Sequence, residues 1–157
     1  MQNFGIAVKL SSNQKRFFAE IMGTFVVVLF ATGSVVLTAK YAQTFGLWFV
    51  ALAPAVAVAL GVYAFGKISM AHFNPAVTVG FLVSKHMPKN LLPLYFAAQI
   101  IGALLASISV KYVIGTEANL GANAPDYYFP IPLIFGVEIL TTALLMAVIL
   151  MVVHQRD

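Results

Sequence analysis

The residues best suited to do chemistry lie in a polar interruption between two long apolar runs, Ile68-Ser69-Met70-Ala71-His72-Phe73-Asn74-Pro75-Ala76-Val77-Thr78. Asn74 followed by Pro75 marks a helix N-terminus. Asn offers its side-chain oxygen to free backbone N–H groups, and Pro occupies the first turn without wasting a donor. Counted from Pro75 to about Ser84, the helix has roughly ten residues, or about 15 Å, half of a hydrocarbon core of about 30 Å. It is therefore a half-helix. Irregular backbone at that depth survives only where protein buries it or where it lines a watery cavity, so the segment predicts a pore or binding site near the midplane. The chemistry on offer is hydrogen bonding. The five acids and three histidines are scattered, with no paired carboxylates, nucleophile–base spacing or metal-ligand spacing. An enzyme, a metal site and a bound cofactor are not expected.

Two acids have a cost that calls for a reason. Glu20-Ile21-Met22-Gly23-Thr24-Phe25 resembles Glu138-Ile139-Leu140-Thr141-Thr142-Ala143, each early in an apolar run. A carboxylate inside a span costs about 2.5 to 3.5 kcal/mol on insertion scales, so its repetition suggests a shared structural use. The repeat implies a second unit that starts at Glu138 and stops after one helix, as in half of an inverted-repeat architecture. A proton relay through Glu20 and Glu138 would need titratable partners that the spans do not supply. Acceptors for the backbone donors of a half-helix are the better reading.

The elements that position these groups follow from the hydropathy. The chain of 157 residues is 61% hydrophobic and 9% charged, with a mean hydropathy of +0.94, which exceeds what a soluble core of this size needs and reads as a multi-pass membrane protein. Apolar runs at about 17–38, 47–65, 91–114 and 132–153 are long enough to span. Lys40 to Gly46 breaks the first two, and Lys85 to Asn90 returns the half-helix to water. Gly115 to Pro130 reads as an extramembrane loop, edged by the interfacial aromatics Tyr127, Tyr128 and Phe129. Lys9, Lys15, Arg16, Lys67, Lys85, Lys89 and Arg156 fall on one side of this threading, and Lys40 and Lys111 on the other. That bias places both termini in the cytoplasm and explains the net charge of +4 without a nucleic-acid partner. There is no cysteine, hence no disulfide framework. The first apolar run is too long for a cleaved signal peptide, and another follows it. Small residues recur in Ala53, Ala57, Gly61 and in Ala98, Gly102, Ala106, which suits close helix approach or a lumen-facing strip.

His72-Phe73-Asn74-Pro75-Ala76-Val77-Thr78, with Ala19-Glu20-Ile21-Met22-Gly23-Thr24 in the first span and Glu138 in the fourth, resembles the aquaporin (major intrinsic protein) family. The resemblance runs from about Phe17 to Asp157. It implies an all-α membrane fold, here four transmembrane helices plus one re-entrant half-helix, in a single domain over 1–157 that lacks the fifth and sixth spans and the second signature. It also implies a passive channel in the cell membrane for water or small uncharged solutes such as glycerol, assembled as a homo-tetramer or completed by a complementary half.

The same resemblance assigns roles. Asn74, Pro75 and Ala76 form the half-helix tip, where the Asn74 amide donates to a passing oxygen and the positive end of the helix dipole repels cations. An Asn before Pro is also commonly a plain cap. The carbonyls of Met70, Ala71 and His72 turn to the lumen as acceptors. Most family members have Gly at Met70, so its side chain packs outward or narrows the vestibule. His72 is either a tether to nearby backbone or Glu20, or a pH-sensitive group. Val27 and Leu145, each seven residues after a glutamate, and Val58 correspond to the apolar pore wall, although ordinary packing explains them equally. Pro54 stands at the selectivity constriction, where it leaves the filter wider or reshaped. Two other readings remain: a non-conducting fragment or structural subunit that folds with a partner, and half of a secondary transporter, for which no cation-binding cluster is evident.

Overall fold

The computed structural model describes residues 10–41 and 44–154. Lys9 and Arg156 of the charge pattern, and Ala42 and Gln43 of the first polar break, lie outside the described residues. The described residues are helical throughout their length-giving elements: α1 (Ser12–Lys40), α2 (Gly46–Ser69), α3 (Pro75–Val83), α4 (Leu92–Val113), a short α5 (Glu117–Gly121) and α6 (Ile131–His154). A single 3-10 turn, Lys89–Leu91, leads into α4. α1, α2, α6 and α4 with its lead-in turn are long and apolar enough to cross a membrane.

The helix ends are set by local chemistry that hydropathy does not see. α1 begins at Ser12 rather than near Phe17 because Ser11 and Gln14 form a capping box. The Gln14 N–H donates to Ser11 Oγ at 3.3 Å, and the Ser11 N–H donates to Gln14 Oε1 at 2.8 Å. The polar first turn is thereby held in the helix. α2 runs past the expected end near Phe65 to Ser69 and stops where Met70 turns left-handed, at φ 67°. α3 has nine residues, far too few to span.

α1 is the hub, packed against α4 on one side and α2 on the other. The small residues of α4 make the first contact possible. Ala98 and Ala106 are fully buried, and a Cβ at Gly102 would lie 2.5 Å from the carbonyl oxygen of Ile21. The close-approach reading therefore holds for this strip. α3 rests on α4 through a core of Val77, Phe81, Met87, Leu91 and Tyr95. α6 meets the rest chiefly at α3, where Met146 covers Gly80.

The segment after α4, expected as a plain loop, is tied down. Ala118, Asn119 and Leu120 form a left-handed turn, and Gly121 (φ 65°) sits so close to Thr32 that a Cβ there would lie 2.4 Å from its carbonyl oxygen. Glycine at that φ removes both the steric cost of the left-handed region and the clash.

Gly102→Leu is expected to lower stability by at least about 2 kcal/mol, because the obstacle is backbone that cannot move aside. Gly136→Ala, where an added Cβ meets nothing within 4 Å, is expected to leave the midpoint unchanged or raise it. Thermal unfolding in detergent, followed by far-UV circular dichroism, compares the two.

Candidate functional site

Between α2 and α3 the chain crosses the bundle as irregular backbone, and the backbone donors of its last two residues before Asn74 are collected by a single carboxylate. Glu20 is fully buried on α1. Its Oε1 accepts the His72 N–H at 3.0 Å and the Ser69 hydroxyl at 2.6 Å. Its Oε2 accepts the Phe73 N–H at 2.8 Å and the Gln99 side-chain amide at 2.9 Å. The neighbours are satisfied in turn. The Met70 N–H closes α2 onto Gly66, and the Ala71 N–H donates to Ser69 Oγ at 3.1 Å. The Tyr95 hydroxyl donates to the Ser69 carbonyl at 2.7 Å. All four N–H groups of Met70 to Phe73 thus point into protein. Their carbonyls take no hydrogen bond among the described residues.

This conformation is strained. Met70, Ala71 and Phe73 have φ of 67°, 53° and 52°, a left-handed region that costs an L-residue roughly 1–2 kcal/mol. Phe73 helps to hold it. Its ring lies between α1 and α2, where a Cβ on Gly23 or Gly61 would come within 1.9 Å and 2.7 Å of ring carbons. Phe65 meets it edge-on at 6.2 Å.

Asn74 ends the irregular stretch in an extended conformation (φ −150°, ψ 130°), and its Oδ1 accepts the Ala76 N–H at 2.8 Å, with Pro75 in the first turn of α3. With Oδ1 engaged, the exposed amide nitrogen is left to donate. Below it, Thr78 Oγ1 donates to the Asn74 carbonyl at 3.1 Å and accepts the Gln99 amide at 2.9 Å. With that hydroxyl proton committed to Asn74, the 3.1 Å contact between His72 Nδ1 and Thr78 Oγ1 assigns the ring proton to Nδ1. The His72 ring stacks on Phe81 at 4.2 Å. The tether expected from His72 ran to nearby backbone or Glu20; here its ring holds the Thr78 hydroxyl and its backbone N–H holds Glu20.

A cavity of about 440 Å³ opens in front of this segment. Met70, Ala71, His72 and Asn74 line it, as do Val27 from α1, Val58 from α2 and Leu145 from α6. Asn74 of the expected tip, the carbonyl segment and the apolar wall are thus brought together on one surface, and Phe73 joins them. Pro75 and Ala76 are exposed at the start of α3 and do not line it. Two further residues are not brought in. Pro54 is half-buried one turn from Val58 but does not line the cavity. Glu138 is exposed on α6 and accepts no hydrogen bond from α3 among the described residues. It does not support this half-helix, because α6 meets α3 through Gly80 and Met146 instead.

Sequence reasoning missed Gln99 and Tyr95. Gln99 had a signal: a buried amide in an apolar span is as conspicuous as an acid. Tyr95 had none, since a Tyr in a span is ordinary.

A broken helix whose start faces an apolar cavity, inside an all-helical multi-pass membrane bundle, defines the class. The particular family follows from comparison: the major intrinsic protein profile matches residues 7–157, and the chain belongs to that family. It is 36% identical over 151 residues to "Probable aquaporin AqpM" of Archaeoglobus fulgidus, covering 83% of this chain and 60% of that one. It is 36% identical over 139 residues to glycerol uptake facilitator protein-like 6 of Lactiplantibacillus plantarum, covering 87% and 62%. With aquaglyceroporin-2 of Rhizophagus irregularis it shares 33% identity over 158 residues, covering 89% and 50%. The chain therefore spans only part of the length of these relatives.

Glu20→Gln replaces one acceptor oxygen by a donor and leaves buried N–H or O–H groups unmatched, each worth about 1–3 kcal/mol. A loss of at least about 2 kcal/mol is expected. Glu138→Gln, on an exposed face, is expected to stay within about 0.5 kcal/mol. Equilibrium unfolding in mixed micelles measures both.

Proposed function

We propose that the chain forms the wall of a passive channel for water and small uncharged solutes such as glycerol, with the Asn74 amide and the Met70–Phe73 carbonyls as its polar track. The observation that carries this is the separation of donors from acceptors. The N–H groups of Met70 to Phe73 are engaged within the protein, which leaves carbonyl acceptors beside an amide donor on an otherwise apolar surface.

Water and alcohol hydroxyls both donate and accept, so they satisfy both kinds of group. A cation meets the positive end of α3 and the Asn74 amide protons. An anion meets carbonyl oxygens. The lining includes no acid, lysine or arginine, and its one titratable side chain is the buried His72, which disfavours ion-coupled transport. Val27, Val58 and Leu145 make few hydrogen bonds with a passing solute, so it slides. The Met70 side chain, 37% exposed in the cavity wall, narrows the vestibule where glycine would leave it open.

The lumen needs a second wall. Asn74 is exposed, and none of the apolar window of α6 is buried. We assign the closing surface to a complementary half, in the same polypeptide or another, and the Glu138 carboxylate to backbone donors of that half. Basic residues cluster at the start of α1, the end of α2 and the turn after α3, which supports cytoplasmic termini. Tetrameric assembly is an extension of the same family reading.

The test is osmotic. Proteoliposomes in which the chain is paired with a complementary half are expected to shrink several-fold faster than empty vesicles after an osmotic step read by light scattering. Leu145→Trp is expected to reduce the gain about tenfold, equivalent to about 1.4 kcal/mol in barrier. Met70→Gly is expected to raise glycerol entry relative to water. Shrinkage of these paired vesicles at the rate of empty ones would overturn the channel reading.

A further inference from the structure

A second cavity, of about 590 Å³, lies among α1, α2 and α4 and shares no lining residue with the first. Its floor is small, with Gly33, Ser34 and Ala53, and its rims are the exposed side chains of Phe30, Leu52 and Val113. Polar atoms are absent in effect. The Ser34 hydroxyl donates to the Ala31 carbonyl, and that of Ser109 to the Leu105 carbonyl, each at 2.9 Å. An occupant must be apolar over its whole buried length.

The dimensions select among apolar occupants. Along α1 the lining runs from Leu29 to Leu37, about 12 Å at about 1.5 Å per residue, close to the roughly 15 Å depth of one leaflet. A single extended hydrocarbon chain fits both the length and the narrow floor.

One end of the cleft has a charge. Lys40 lies one turn beyond Leu37, and its Nζ donates to the carbonyl of Ile114, itself a lining residue. Glu117, the acid nearest in sequence to that end, folds its carboxylate back over Gly115. Lys111 is turned to the ring of Tyr112, 5.6 Å from its centroid. Tyr41, Phe45 and Phe49 form a chain of ring contacts at 6.3 Å and 4.9 Å that runs from beside Lys40 into the cleft, and Trp48 is exposed beside it. Such aromatics mark headgroup depth.

We propose that this cleft binds one acyl chain of an anionic phospholipid from the leaflet at the Lys40 end, with the lipid phosphate against the Lys40 ammonium. Apolar fit supplies the chain's place, and Lys40 supplies the preference for negative headgroups.

The chain contains one tryptophan, Trp48, next to the lining residue Phe49, so quenching by chain-brominated lipids reads occupancy directly. In vesicles of phosphatidylcholine doped with brominated phosphatidylglycerol, half-maximal quenching is expected at a several-fold lower mole fraction than with brominated phosphatidylcholine. Lys40→Gln is expected to abolish that preference. Ala53→Phe, which fills the floor, is expected to weaken phosphatidylglycerol quenching at least threefold, with helicity checked by circular dichroism. Because Lys40 is exposed, its variant decides the matter even where the filled cleft fails to fold. Equal quenching by both lipids, or a preference that survives Lys40→Gln, would overturn the proposal. So would quenching that falls as the protein-to-lipid ratio rises, which would give the cleft to a second copy of the chain.

Discussion

A carboxylate buried without a cationic partner is among the least favourable groups in a membrane protein, and here it is what permits the chain to break its helix inside the bundle. Exposed backbone donors in an apolar environment cost several kcal/mol. Glu20 takes two of them, from His72 and Phe73, and is itself solvated by the Ser69 hydroxyl and the Gln99 amide. Each side cancels the desolvation cost of the other. The arrangement also has a direction: a carboxylate accepts only, so it draws the His72 and Phe73 N–H groups inward, while the carbonyls of the segment take no hydrogen bond among the described residues.

Close approach is the second constraint. A carboxylate on α1 can reach the α2–α3 connection and α4 at once only if the three helices nearly touch. Gly102 admits the α1 backbone, Gly23 and Gly61 admit the Phe73 ring, and Ala98 and Ala106 keep α4 flat against α1. Phe73 fills the space left by the two glycines and so fixes the residue before Asn74. The amide of Asn74 is aimed by this packing together with its own cap. The left-handed backbone at Met70, Ala71 and Phe73 is tolerated because the surrounding hydrogen bonds over-determine it.

The two cavities divide the bundle by chemistry. The one beside Asn74 is lined by the irregular Met70–Asn74 segment together with valine and leucine side chains. The one among α1, α2 and α4 has no free polar group in its lining side chains and suits hydrocarbon. Both are bordered by α1 and α2, with opposite environments on separate faces.

Much of this was legible in the residues. Apolar runs of spanning length gave the helices, Asn74-Pro75 gave the start of α3, and the cost of an intramembrane acid singled out Glu20. Those features are local, or depend on the solvent rather than on neighbours, and a sequence states them directly. The extensions of α1 to Ser12 and α2 to Ser69 were less legible, because a capping box and a left-handed stop act on single bonds that hydropathy averages away. The two glutamates look alike in sequence, yet one is buried under four donors and the other is exposed on α6; the difference lies in which backbone arrives beside them. Likewise Val27, Val58 and Leu145 could have faced core, lipid or lumen. Only the crossing of the helices put them on one surface with Asn74 and left Pro54 off it, since facing is a property of packed pairs of elements and no single element contains it.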